Sequence, residues 1–207
     1  MSSEPEIIVA RVPTRARGKQ RVAELLQAAT AVFAEKGYES ATMTEIAARA
    51  GAPIGSLYQF FPAKEALADT LVRHYAALLA TDLLELEARA GGIDVETIVE
   101  RLFGLLRSHP RERAAALPLA EARMDERTRR TAFRQMLRRH IAAILRARAP
   151  ALPAEAAREM AMVVLQLMKA ASALGDEEGL PGRAAGLREL QALTVQYLQQ
   201  RLHPRGD

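Results

Sequence analysis

The apolar residues Val22, Leu25, Leu26, Ala29, Val32 and Phe33 fall at i, i+3, i+4 and i+7, and similar spacing returns in segment after segment of the chain. A period of 3.6 residues puts such positions on one stripe of an α-helix. Ala, Leu, Arg, Glu and Gln, all strong helix formers, dominate throughout. No stretch reads as a strand, and no block of sequence repeats. The chain is therefore expected to be all-α.

Breakers divide this pattern into segments. The first helix is expected over about 18–36, with Gly37 ending it in the left-handed conformation that suits glycine. Thr42 with Glu45 three residues later forms a capping box ahead of a short helix at about 43–50, closed by Gly51. A second short helix runs from about 54 to 61 and stops at Pro62; a long one follows from about Lys64 to Arg89, broken by Gly91 and Gly92. Further helices are expected near 94–108, 111–120, 125–148, 154–174 and 184–202. The domain boundary falls inside the long helix, so two helical domains would share it.

Several functions are excluded by what is missing. There is no cysteine, which removes disulfides, thiol catalysis and Cys-ligated metals. The longest apolar run, 160–168, is interrupted by Gln166 and is half the roughly 18 residues that a membrane span requires. Acidic residues precede only a short apolar run at the N-terminus, the wrong order for a signal peptide, so a cytoplasmic protein is expected. The patterns of P-loops, dinucleotide folds, nucleophile elbows and zinc proteases do not occur. His74, His109, His140 and His203 do not pair at metal-ligand spacing. Neither a catalytic residue, a metal site nor a cofactor is expected.

The net charge is only +4, yet it is uneven: residues 11–21 carry Arg11, Arg15, Arg17, Lys19 and Arg21 and no acid. Thirteen arginines face four acids over 101–148. An excess of this kind suits an anionic partner.

Two short helices joined by a tight glycine turn resemble a helix-turn-helix, which lays its second helix in the DNA major groove. At 100° per residue, Leu57 and Phe61 share a face and can enter a core with Ile46, Ala47, Phe33 and Leu26. Gly55, Ser56, Tyr58 and Gln59 point mainly elsewhere, offering close approach, hydroxyls and an amide to phosphates and base edges. Geometry alone is equally satisfied by an ordinary helical corner.

The residues carry a more specific likeness. "GKQRVAELLQAATAVFAEKGYESATMTEIAARAGAPIGSLYQFFPAKEAL", residues 18–67, resembles the N-terminal DNA-binding domain of TetR-type transcriptional regulators. The likeness lies in "FAEKGY", T-x-x-x-I-A-x-x-A-G, I-G-S-L-Y-x-F-F and "KEAL". It implies a helix-turn-helix domain at 18–79 behind a basic arm at 1–17, and a helical effector-binding and dimerisation domain at 80–207. Thr42 and Thr44 would then open the supporting helix beside the phosphate backbone. Ile54, Gly55, Ser56, Tyr58 and Gln59 would occupy the recognition helix, with Tyr58 on a phosphate, and Lys64 would grip another. The basic arm would add to that grip. Three positions depart from the pattern: Phe60 where His or Tyr is frequent, Ala52 for Val, and Ala63 for a polar cap, the last costing roughly 1 kcal/mol.

In the second half, Met160, Met162, Val163, Val164, Leu165, Leu167, Met168, Ala171 and Leu174 make the segment 154–174 apolar nearly all round. Leu187, Leu190, Leu193, Tyr197, Leu198 and Leu202 give 184–202 a broad stripe. Covering both calls for a homodimer through these two helices. A dimer also supplies two reading heads about 34–36 Å apart for a palindromic operator. Phe103, Phe133, His140 and the methionines are the candidate lining of a pocket for a lipophilic effector, against plain core packing. Arg127, Arg130, Arg134 and Arg138 share a stripe that an anionic effector could use. The function expected is a ligand-responsive regulator, a repressor released from operator DNA by a small molecule. The alternatives are a helical dimeric interaction module without DNA binding, and an enzyme.

Overall fold

The computed structural model describes residues 16–105, 107–122 and 128–202, and every regular element among them is helical. They form two compact units, one of residues 16–77 with 109–122 and 128–130, the other of residues 78–105, 107–108 and 131–202.

The first unit begins with α1 (Ala16–Ser40), whose regular course ends at Gly37, where φ is 74°. A β-carbon is disfavoured there, so the glycine expected to end the helix does so. α2 (Met43–Arg49) carries the expected capping box: Glu45 N–H donates to Thr42 Oγ1 at 3.2 Å, and Thr42 N–H donates to Glu45 Oε2 at 3.1 Å. Gly51, with φ of 59°, turns the chain while the Ala52 N–H closes back on the Ala47 carbonyl at 2.9 Å. α3 (Ile54–Phe60) follows Pro53 and ends two residues before Pro62. α4 (Lys64–Arg89) then runs from the first unit into the second, over the span expected from its breakers.

Phe33, Leu25, Ile46, Leu57, Phe61, Leu67 and Leu71 form the core of this unit. That core also takes Ala115 and Leu119 from α6 (Pro110–Ala122), which packs along α1. α6 thus falls in the same compact unit as α1, α2 and α3, although it lies within the stretch 80–207. Its apolar period is the same whichever neighbour it covers, so sequence spacing could not select the partner.

The second unit is built from the end of α4, α5 (Val95–Gly104), α7 (Thr128–Arg148, from Thr131 onward), α8 (Ala154–Asp176) and α9 (Arg183–Leu202). Asp94 caps α5 by accepting from the Thr97 N–H at 2.8 Å. α5 ends at Gly104, short of the expected 108. The core joins Leu83, Ile98, Leu102, Phe103, Ile141, Leu145, Met160, Val164, Met168 and Leu198. Within it His140 is buried, its Nδ1 3.7 Å from a carboxylate oxygen of Glu87. Phe133 is half-buried. Arg134 and Arg138 are half-buried on α7, whereas Arg127 and the Arg130 side chain lie outside the described residues. Outward, Met162, Val163 and Leu193 remain 40–52% exposed.

Among the described residues no helix is long and apolar enough to cross a membrane, and no group of three or more His, Asp or Glu is placed to hold a metal ion.

Candidate nucleic-acid interface

Helical phase divides α3 into two faces. Leu57 and Phe61 are buried in the first unit's core, 0% and 1% exposed. Ile54, Gly55, Tyr58 and Gln59 are exposed and Ser56 is half-buried. Tyr58, at 49% exposure, is an aromatic side chain held away from the core by the helix that buries its neighbour. A β-carbon added at Gly55 would meet nothing within 4 Å, so the folded chain itself places no steric demand for glycine there. Thr42 and Thr44 are both exposed at the start of α2.

Phe60 is half-buried against the core and lies beside α1. It lines a shallow groove of about 430 Å³ with Ser56 and Gln59 from α3 and with Arg17, Gln20 and Arg21 from α1. The described end of the basic stretch thus borders the polar face of α3. Residues 1–15 of the expected arm lie outside the described residues. Gln20 was missed by sequence reasoning; its position one α-helical turn from Arg17 and Glu24 was a signal of facing, not of what it faces.

Arg21 pairs at 2.9 Å with Glu24, which lines the same groove, and three other cations of this unit are engaged. Arg49 pairs with Glu35 and Lys36 with Glu45. The hydrogen bond from Arg49 holds the Glu35 carboxyl below its ordinary range. Lys36, followed by Thr42, does the same to Glu45. Lys64, expected to grip a phosphate, is also engaged within the unit. Its Nζ donates to the carbonyls of Tyr38 and Ala41 at 2.9 Å and of Glu39 at 3.3 Å. An ammonium has three donors, so a phosphate contact would require releasing one of these carbonyls. Tyr38, which sequence reasoning did not single out, packs its ring on Phe33 with centroids 5.6 Å apart and donates its hydroxyl to Glu65 at 3.0 Å.

The arrangement is a short helix with a buried apolar edge and an exposed edge of glycine, hydroxyl, phenol and amide, flanked by two arginines. Such an edge can approach a duplex closely and hydrogen-bond phosphates and bases.

Residues 25–71 match the family model of bacterial regulatory proteins, tetR family, and residues 94–198 match that of the tetracyclin repressor-like C-terminal domain. The chain is similar to the HTH-type transcriptional repressor KstR2 of Mycobacterium tuberculosis, with 46% identity over 55 residues. That match covers 27% of this chain and 28% of the relative. KstR2 of Rhodococcus jostii is 37% identical over 82 residues, covering 40% of this chain and 39% of the relative. The matched segments therefore span well under two thirds of these repressors. A crystal structure from Mesorhizobium loti, described as a TetR-family transcriptional regulator, superposes with a TM-score of 0.66 at 21% identity, covering 89% of this chain and 98% of the other.

Proposed function

The chain belongs to the TetR family of bacterial regulatory proteins, and on that premise we propose that it is an effector-controlled repressor that binds a palindromic operator as a homodimer. The observation that carries this reading is the division of α3, with Leu57 and Phe61 buried and Gly55, Tyr58 and Gln59 exposed. A helix that only turned a corner would gain nothing from an exposed phenol beside an open glycine.

In this reading Ser56 and Gln59 contact base edges, and Gly55 and Ile54 lie against the groove wall. Tyr58, Thr42 and Thr44 hydrogen-bond phosphates, and Arg17 and Arg21 supply charge. Lys64 acts chiefly by fixing the end of α1 to the start of α4. The homodimer forms through α8 and α9, whose exposed Val163 and Leu193 supply an unfilled apolar surface. A small molecule bound in the second unit favours a head spacing that no longer fits the operator, which requires unequal affinity for the two states.

Electrophoretic mobility shift with duplexes flanking the chain's own gene tests this. A specific complex of two chains per duplex is the expected result. Binding no tighter than to a scrambled duplex, across that whole region, would overturn it and leave a helical interaction module.

A further inference from the structure

A groove of about 530 Å³ lies between α7 and α8, entirely within the second unit. Arg138, Arg139 and Arg146 line it from α7 and Arg158 from α8, and no carboxylate is among its lining residues. Its remaining wall is largely alanine, Ala142, Ala143 and Ala154, small side chains that leave the volume open. Arg158 pairs with Glu155 one turn away, a pair that is largely solvent-exposed. Arg138 donates from Nε to the Arg134 carbonyl at 3.3 Å. Among the described residues, Arg139 and Arg146 have no ion-pair partner.

Four guanidiniums thus line one groove with no carboxylate among the lining residues, a setting that suits an anion. The guanidinium fork matches the paired oxygens of phosphate and carboxylate. The volume falls within the roughly 300–1,000 Å³ of small-molecule clefts. Met162, 47% exposed, adds an apolar contact. We propose that this groove binds a small molecule carrying two or more phosphate or carboxylate groups, with an apolar part against Met162. A duplex is a poorer fit, because its phosphates run along a track whereas these four cations line one short groove.

The proposal stands apart from operator binding, since its test contains no operator. The full chain would be titrated calorimetrically with inorganic pyrophosphate and, separately, with citrate, at constant ionic strength. Saturable binding of one probe per chain is expected, with preference between them identifying phosphate or carboxylate. Arg139→Gln with Arg146→Gln should weaken it at least tenfold, while Arg188→Gln, an exposed arginine on α9, should leave it unchanged. Absence of saturable heat, or equal weakening by Arg188→Gln, would overturn the proposal. So would a changed sedimentation mass of the double variant, which would make the groove a subunit contact. Loss of non-specific duplex binding in a double variant whose parent ignores both probes would make it a nucleic-acid surface instead.

Discussion

Lys64 Nζ lies 4.3 Å from the centroid of the Tyr38 ring and also donates to the Tyr38 carbonyl at 2.9 Å. Tyr38 thus receives the ammonium on its ring face while its backbone carbonyl accepts a hydrogen bond from it. The carbonyls beyond Gly37 no longer have helical partners, and Lys64 reaches back across 26 residues to satisfy them. Tyr38 completes the link by donating its hydroxyl to Glu65. The tie fixes where α4 starts relative to α1, and α3 hangs between them.

Lys64→Ala should therefore destabilise the chain by about 2 kcal/mol, because it removes charge-assisted hydrogen bonds and a cation–π interaction. Urea unfolding measures this. The dependence of operator affinity on salt should keep its slope; a drop of about 1 in that slope would return Lys64 to the phosphates.

Gly55→Ala separates fold from function. A β-carbon there meets nothing, and alanine is the better helix former, so the variant should gain about 0.5 kcal/mol in thermal unfolding. Operator affinity should fall at the same time, because the added methyl occupies the approach to DNA. Stability and affinity rising together would remove Gly55 from the interface.

Tyr58→Phe should weaken operator binding by roughly 1 kcal/mol, one hydrogen bond, without altering the melting temperature or the salt slope. Arg17→Gln with Arg21→Gln should instead lower the slope by about 1 for each phosphate that is no longer neutralised. Fluorescence anisotropy at several salt concentrations distinguishes the two kinds of interaction.

Val163→Asp with Leu193→Asp places charge on the exposed apolar surface of α8 and α9 while leaving Met160, Val164 and Leu198 in the core. Sedimentation should show monomers with unchanged helical circular dichroism. A dimer that persists would move the interface elsewhere.

Acid should loosen the caps. The hydrogen bond from Lys36, with those from Thr42, lowers the Glu45 carboxyl below 4.5, and Thr97 lowers Asp94 below 3.8. A carboxyl depressed on folding stabilises fully above its unfolded value and loses that contribution as pH falls through the folded one. Melting temperature should thus decline from about pH 4.5 downward, and Glu45→Gln, which keeps a hydrogen-bonding oxygen, should flatten the decline.

Short-range chemistry accounts for what could be read directly. Pro62 and the glycines at 91 and 92 bounded α4, Thr42 and Glu45 announced α2, and the phase of Leu57 and Phe61 told the two faces of α3 apart. Each rests on residues within about one turn of one another. A chain obeys such signals wherever its segments end up.

Lys64 on the carbonyls of Tyr38 and Ala41, α6 along α1, and the groove joining Arg17 and Arg21 to Gln59 lay beyond that range. A lysine at a helix start looks the same whether it meets a phosphate or a carbonyl, and an apolar stripe does not name the stripe it covers. The sequence by itself determined that the chain is helical, where most helices stop and which face of α3 is turned outward. Only the tertiary structure decided which polar groups remain available for a partner, because that depends on whether distant backbone and side-chain groups satisfy them first.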